Sequence, residues 1–295
     1  MMSTTQPVTV RPARSPSPAD LRASMQAVAK RLAEMQGVGG DFELTASSTK
    51  PPESVTDNLF ATATVISVAG RFLPDTCVTR AARYIIERRE PNGLWAWAPD
   101  GAIPADADDT AICLGALACA GVALDGRRDA RLLRKFWRWG GPFQTWLAKG
   151  GWSERSRDDP VVNCNVLWAL RMLGVRIRSR ETNAVRRMLA RHSGATRYYC
   201  SAGSVAWAAA RVGVETPSLA PPDEGALAGR PLECALWTLA LPTPPAGAAG
   251  LLMDMNDPAR GGAPEAWIMD HKGEWHSEAV TTAFGVAALA RLLGS

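Results

Sequence analysis

The sequence has little that would tie it to a membrane, a nucleic acid or an oxidising compartment. No uninterrupted apolar run approaches the roughly 20 residues needed to span a bilayer. A soluble protein is expected, with peripheral membrane contact left open. Lysine and arginine exceed aspartate and glutamate by 33 − 29 = 4 over 295 residues, too small a surplus to call for nucleic acid. The six cysteines, at 77, 113, 119, 164, 200 and 234, form no Cys-x-x-Cys pair and mostly lie in apolar helical runs. They read as small core residues in a reducing compartment, which points to the cytoplasm. Convincing period-two alternation is missing, which argues against a sheet-based fold. Residues 1–18, with Pro7, Pro12, Pro16 and Pro18, lack apolar periodicity and any signal-peptide core. They are expected to form a disordered arm.

Tryptophan is plentiful: eleven, against three tyrosines and six phenylalanines. Several follow glycine closely, as in Asn92-Gly93-Leu94-Trp95-Ala96-Trp97 and Gly150-Gly151-Trp152, so indoles fall in turns as well as in helix cores. Helices are predicted over 19–36, 56–70, 75–89, 106–121, 129–139, 158–174, 180–191, 199–212, 231–241 and 276–293. Six of them are nearly all-round apolar, mostly preceded by a more polar partner, and recur every roughly 35–50 residues, the range of helical repeats. Such pairs form an open solenoid with polar caps or a closed ring. Helices that are apolar all round and rich in small residues suit the inside of a ring. Their starts carry Asp57 and Asn58, Asp106 to Asp109, Asp158 and Asp159, and Ser277 and Glu278. In a ring of parallel inner helices these ends converge on one mouth, where a concave aromatic-lined pocket is expected. At Asp57, Asp158 and Ser277 the same residue types serve equally as ordinary helix caps.

The sharpest chemical feature is Asp106-Ala107-Asp108-Asp109-Thr110-Ala111. Three carboxylates within one helical turn repel one another, and desolvation would leave at least one as a neutral acid near pH 7. The apolar run that follows, Ile112 to Ala120, places these acids at the start of a buried helix. Asp106 fits a helix cap with Asp109 three residues on, but capping has no use for Asp108 between them. A neutral acid against apolar walls is what protonation of a hydrocarbon requires.

This motif resembles the Asp-x-Asp-Asp-Thr-Ala signature of class II terpene cyclases, the squalene–hopene cyclase-like superfamily. Arg80-Ala81-Ala82-Arg83-Tyr84-Ile85-Ile86 through Asn92-Gly93-Leu94-Trp95 is similar to the Gln/Trp repeat of that group, with Arg89 where glutamine is usual. Gln144 through Trp152 is a looser version, and Ala279 to Phe284 resembles a closing inner helix. The resemblance implies an all-α fold, a single α/α toroid over 19–295 with about six inner and five to six outer helices. It implies Asp108 as the general acid that protonates a terminal alkene or epoxide of a polyprenyl chain, with Asp106 and Asp109 orienting it. Thr110, Asn163 and Asn165 are candidate supporting residues, the asparagines to hydrogen-bond the acid or hold a terminating water. Trp97, Trp168, Tyr198, Tyr199, Trp207 and Trp275 are candidate substrate-binding residues, since indole and phenol faces stabilise cations by roughly 0.5–2 kcal/mol each. Trp237 also falls on an inner helix.

Squalene-type cyclases carry two helical domains, and this chain has length for one. Either a lone toroid holds the site or a partner domain or second copy completes it. The short chain favours a C15 or C20 substrate. Protonation needs no cofactor, and no Asp-Asp-x-x-Asp magnesium motif is present. Magnesium enters only if the substrate is a diphosphate, with Lys149, Arg155 or Arg157 as anchors. Two other readings stand beside this one. The first is a non-catalytic toroid acting as a binding or scaffold module. The second is a zinc-dependent prenyltransferase-like protein using ligand types at Cys234, Asp270, His271 and His276, whose spacing fits no compact zinc pattern.

Overall fold

The computed structural model describes residues 16–46, 58–97, 103–138, 141–147, 158–192, 194–216, 219–254, 266–270 and 273–295. Twelve α-helices lie among them: α1 (Pro18–Glu34), α2 (Leu59–Ala69), α3 (Asp75–Glu87), α4 (Ala107–Cys119), α5 (Gly126–Arg134), α6 (Pro160–Met172), α7 (Ser179–Leu189), α8 (Ala202–Arg211), α9 (Glu224–Leu227), α10 (Pro231–Ala240), α11 (Ala248–Asp254) and α12 (Glu278–Leu292). The predicted arm falls outside the described residues up to residue 15. Pro18 takes the first position of α1, and Ser17, its N-cap, forms a reciprocal capping box with Asp20.

The even-numbered helices pack in the order α2, α4, α6, α8, α10, α12, and α12 returns to α2. The ring is therefore closed, and α1, α3, α5, α7, α9 and α11 lie outside it as an α/α toroid. Composition sorts the two layers. Every residue of α4 from Ala107 to Leu117 is buried, as is every residue of α12 from Ala279 to Ala290. The outer α5 buries only Asp129, Ala130, Leu132 and Leu133. Each Leu, Ile or Val removed from water in the inner ring contributes roughly 1.5–3 kcal/mol. Close approach between inner helices depends on small residues. Gly115 of α4 lies so near Trp168 of α6 that an added Cβ would sit 1.9 Å from the indole.

Arginines fix the direction of the helices. On one rim, Arg171 donates to the carbonyls of Arg211 and Val212, and Arg291 donates to those of Leu239 and Leu241. Arg71, just past α2, donates to the carbonyl of Ser295 beyond α12. The C-terminal ends of neighbouring inner helices therefore lie side by side, and the cations satisfy carbonyls that the helices leave open. The inner helices run parallel, so their N-terminal ends share the opposite mouth. Elsewhere an arginine at or just past the end of one helix meets an acid in the first turn of another: Arg31 with Glu278, Arg89 with Asp129, and Arg134 with Glu181.

The structure adds one small element to the all-α fold and moves the start of one expected helix. A small sheet is present, with strands β1 (Thr45–Ala46), β2 (Ala266–Asp270) and β3 (Gly273–His276) in the antiparallel order β1-β3-β2. The ladder between β2 and β3 bulges at Trp267, which breaks the alternation that would have marked the strand. The helix expected over 199–212 begins only at Ala202, with Ser201 as its cap. Tyr198 and Tyr199 precede it.

Candidate active site

The aspartate motif sits where two loop segments pin the start of α4. The Asp106 N–H donates to the Trp95 carbonyl at 3.2 Å, and the Ala107 N–H donates to the Thr145 carbonyl at 2.9 Å. Thr110 accepts from the Trp95 N–H at 3.2 Å, so its role is to hold that loop against the helix. Asp106 is the N-cap in extended conformation, and its Oδ1 accepts from the N–H groups of Asp108 and Asp109, both at 2.8 Å. Asp109, 2% exposed, is buried beside Asp106 and meets it through its backbone N–H.

Asp108 is turned across the ring. Its Oδ1 accepts from Asn165 Nδ2 at 2.7 Å, and its Oδ2 accepts from the Tyr199 hydroxyl at 2.6 Å. The Asn165 amide also donates to the Tyr199 oxygen at 3.0 Å. Asn165 Oδ1 in turn accepts from the Arg211 guanidinium. Arg211 lies between two indoles, 4.1 Å from the ring centres of both Trp168 and Trp207. A continuous polar chain thus runs from Tyr199 and Asp108 through Asn165 to a buried cation.

The surroundings raise both central carboxyls above the ordinary carboxylate range. Burial pushes Asp106 up to about 6, against the N–H groups it caps. Burial first, and then the neighbouring Asp106 charge, push Asp108 up to about 7, while the Tyr199 and Asn165 donors pull it back. Burial thus raises both carboxyls of this pair, and Asp108 holds a proton in a share of molecules at neutral pH. A carboxyl at Asp108 can donate a proton and then be held as the anion by two aimed donors and the α4 N-terminus.

The other predicted residues divide. Asn163 does not meet the acid: its amide donates to the carbonyls of Phe143 and Asp159, and its oxygen accepts from the Phe143 N–H. Tyr198 packs edge-on against Trp146, 5.7 Å between ring centres. Trp97 lies 5.8 Å from Trp275 and 5.7 Å from Phe60. Trp237 is buried, with its indole N–H on Glu233. For the cap positions, Ser277 does cap α12, whereas the cap of α6 is Asp159 rather than Asp158. Asp57, Lys149, Arg155, Arg157 and His271 lie outside the described residues.

Trp267, Phe60, Phe284 and Arg211 were not singled out from the sequence, yet they join the aromatic residues into one assembly. Trp267, on the bulge of β2, packs 5.4 Å from Phe60, 6.0 Å from Tyr199 and 6.0 Å from Phe284. Phe284 continues to Trp207 at 4.8 Å. Aromatic faces from α2, α8, α12 and the sheet therefore gather beside the acid. Among the described residues, no group of three or more His, Cys, Asp or Glu is placed to hold a metal ion. No described helix is long and apolar enough to cross a membrane.

No protein-family model and no curated protein matches the sequence. Solved structures do. The apo type II terpene cyclase MstE from Scytonema superposes with a TM-score of 0.70 at 18% identity, over 95% of this chain and 99% of that one. A variant of MstE in complex with geranylgeranyl dihydroxybenzoate, its substrate, gives 0.68 at 17% identity over 94% and 98%. A protein from Actinoplanes gives 0.68 at 15% identity over 93% and 100%. A single toroid accounts for nearly the whole length of each neighbour. The chain has the all-α toroidal fold of the type II terpene cyclases.

Proposed function

We propose that the protein cyclises a linear polyprenyl substrate by protonation, with Asp108 as the general acid. The observation that carries this reading is the grip of Tyr199 and Asn165 on a buried Asp108 beside the aromatic assembly. In the first step a terminal alkene takes the Asp108 proton: its π pair forms the new C–H bond, and the O–H pair stays on the carboxylate. For an epoxide, the ring oxygen takes the proton and its C–O bond opens. Internal alkenes then close rings onto the cation until a proton is lost, so the alkene route is an isomerisation. The indole and phenol faces stabilise the migrating cation without trapping it. Tyr199 and Asn165 hold the new carboxylate, as donors aimed at developing charge do in other enzymes.

The substrate found with MstE is a geranylgeranyl dihydroxybenzoate. It supports the C20 end of the expected C15–C20 range and adds a prenylated aromatic acid to the compounds worth testing. The coverage of 98–99% of MstE supports a lone toroid as able to hold such a site. Protonation requires no metal, and magnesium belongs only with a diphosphate substrate. The scaffold reading gives no reason for a buried acid held by two donors.

The test is incubation of purified protein with C15, C20 and C30 polyprenyl compounds and with geranylgeranyl dihydroxybenzoate, in H2O and in D2O. Cyclised product carrying one deuterium at the initiating end, lost in Asp108→Asn, is the expected result. Product that persists undiminished in that variant removes Asp108 from the reaction. No product from any compound favours the scaffold reading, and stoichiometric zinc in the purified protein would favour the prenyltransferase-like one.

A further inference from the structure

Arg211 is a cation with no obvious structural reason to be where it is. Its guanidinium is enclosed by Trp168 and Trp207, and no carboxylate within ion-pair distance answers it among the described residues. Its Nε and Nη1 are buried without a hydrogen-bond partner among those residues. Taking such a charge out of water costs several kcal/mol, and an apolar side chain of similar length would fill the same slot between two indoles. One strong polar contact remains, to Asn165 Oδ1, and Asn165 is the residue that grips the acid.

We propose that Arg211 is a positioning residue for Asp108, acting through Asn165. An arginine only donates hydrogen bonds. The amide atom facing it must be oxygen, so the NH2 end must face Asp108 and Tyr199. Without the guanidinium nothing holds the amide oxygen in place, and an amide turned to accept from the protonated Asp108 would favour the acid form. The positive charge also acts on Asp108 directly, favouring the state in which the proton has left. Both effects make the carboxyl a stronger acid, and this rests on Asp108 being the proton donor. Arg211 is one amide removed from the acid, too near it to anchor the far end of a polyprenyl chain.

The charged and titratable groups around this chain are few. Helix α4 and its cap bring Asp106, Asp109 and Cys119, α6 and its cap bring Asp159 and Cys164, and the segment before α8 brings Arg197, Tyr198 and Tyr199. Helix α2 carries no titratable side chain. Burial lowers Arg211 to about 10, so it remains a cation through the neutral range. Among the described residues it is the cation that reaches Asn165 and acts on Asp108, while Arg197 lies over the Tyr198 ring.

The experiment follows the Asp108 carboxyl stretch by infrared difference spectroscopy against pH, using Asp108→Asn to assign the band. In Arg211→Met, which keeps the contact with both indoles, the Asp108 titration is expected to move up by about one pH unit. Arg211→Lys should restore at least half of that shift. An unmoved titration in Arg211→Met with a native near-ultraviolet circular dichroism spectrum overturns the proposal. Should that variant not fold, Arg211→Lys and Arg211→Gln both keep a donor and differ in charge. The glutamine form is expected to titrate higher, and equal titrations overturn the role of the charge. No substrate is needed, so a wild type that cyclises none of the probes defeats the cyclase reading and leaves this measurement standing. If the wild type is active, Arg211→Met should lose about tenfold in kcat with KM within about twofold, and its basic limb should rise in step with the spectrum.

Discussion

The Tyr199 hydroxyl donates across the ring to Asp108 Oδ2 at 2.6 Å, joining the segment before α8 to the first turn of α4. That bond favours the carboxylate over the acid. Tyr199→Phe deletes the hydroxyl and little else. Asp108 should then titrate higher, and kcat should fall by about 10- to 100-fold with KM nearly unchanged, since one aimed donor is lost in a buried site. Steady-state kinetics on the substrate identified for the wild type check this.

Asp108 is expected to set the basic limb of activity. Its folded-state value is raised to about 7, so the active protonated form is lost as pH rises through that value. The pH profile of kcat/KM should fall on the alkaline side with a midpoint near 7. A rate still rising at pH 9 would contradict it.

The same shift acts on stability. The folded state holds the Asp108 proton more tightly than the unfolded chain, so between about pH 4 and 7 it binds more protons and loses stability as pH rises. Above pH 7 the full penalty is present. Asp108→Asn removes it, and the variant should melt at higher temperature than wild type at pH 8, with the gap closing towards pH 4. Thermal melts at the two pH values decide the matter.

Gly115 allows α4 and α6 to meet over the Trp168 ring. Gly115→Ala would place a methyl inside that ring, 1.9 Å from its nearest atom. Either the indole or the helix must shift, which should cost about 1–3 kcal/mol. Denaturant unfolding of the variant measures it, and a stability equal to wild type would refute the packing.

Arg134 grips Glu181, whose side chain is 1% exposed, through Nε at 2.9 Å and also donates to the Arg176 carbonyl. Arg134→Met leaves that carboxylate buried without its main cation. The expected loss is about 3 kcal/mol, readable as a lower denaturation midpoint with unchanged slope.

The closed ring was legible because inner and outer helices differ in composition along their whole length, as α4 and α5 do. Asp108 was legible because three acids in one turn exceed what a cap uses. Asn163 and Asn165 were not separable. Two residues apart on a helix they face different directions, and nothing local says which direction holds the acid. Tyr199 was assigned to a helix because the apolar run continues smoothly from it. Arg211 was hidden by an ordinary reading, since a basic residue in the last turn of a helix is expected to complement the dipole. Its side chain instead turns inward between Trp168 and Trp207. Trp267 escaped notice because a bulge in a five-residue strand erases the alternation that marks one.

The seam between α2 and α12 unites the first and last inner helices, which are separated by most of the chain. Contacts so distant in sequence are the slowest to form. During synthesis, α4 and its acids must wait in an unfinished arc, with the bare sides of α2 and α10 open to water, until the final helix leaves the ribosome. A chain cut short before Ser277 would lose a wall shared by both neighbours, and aggregation rather than a smaller stable ring is its natural fate.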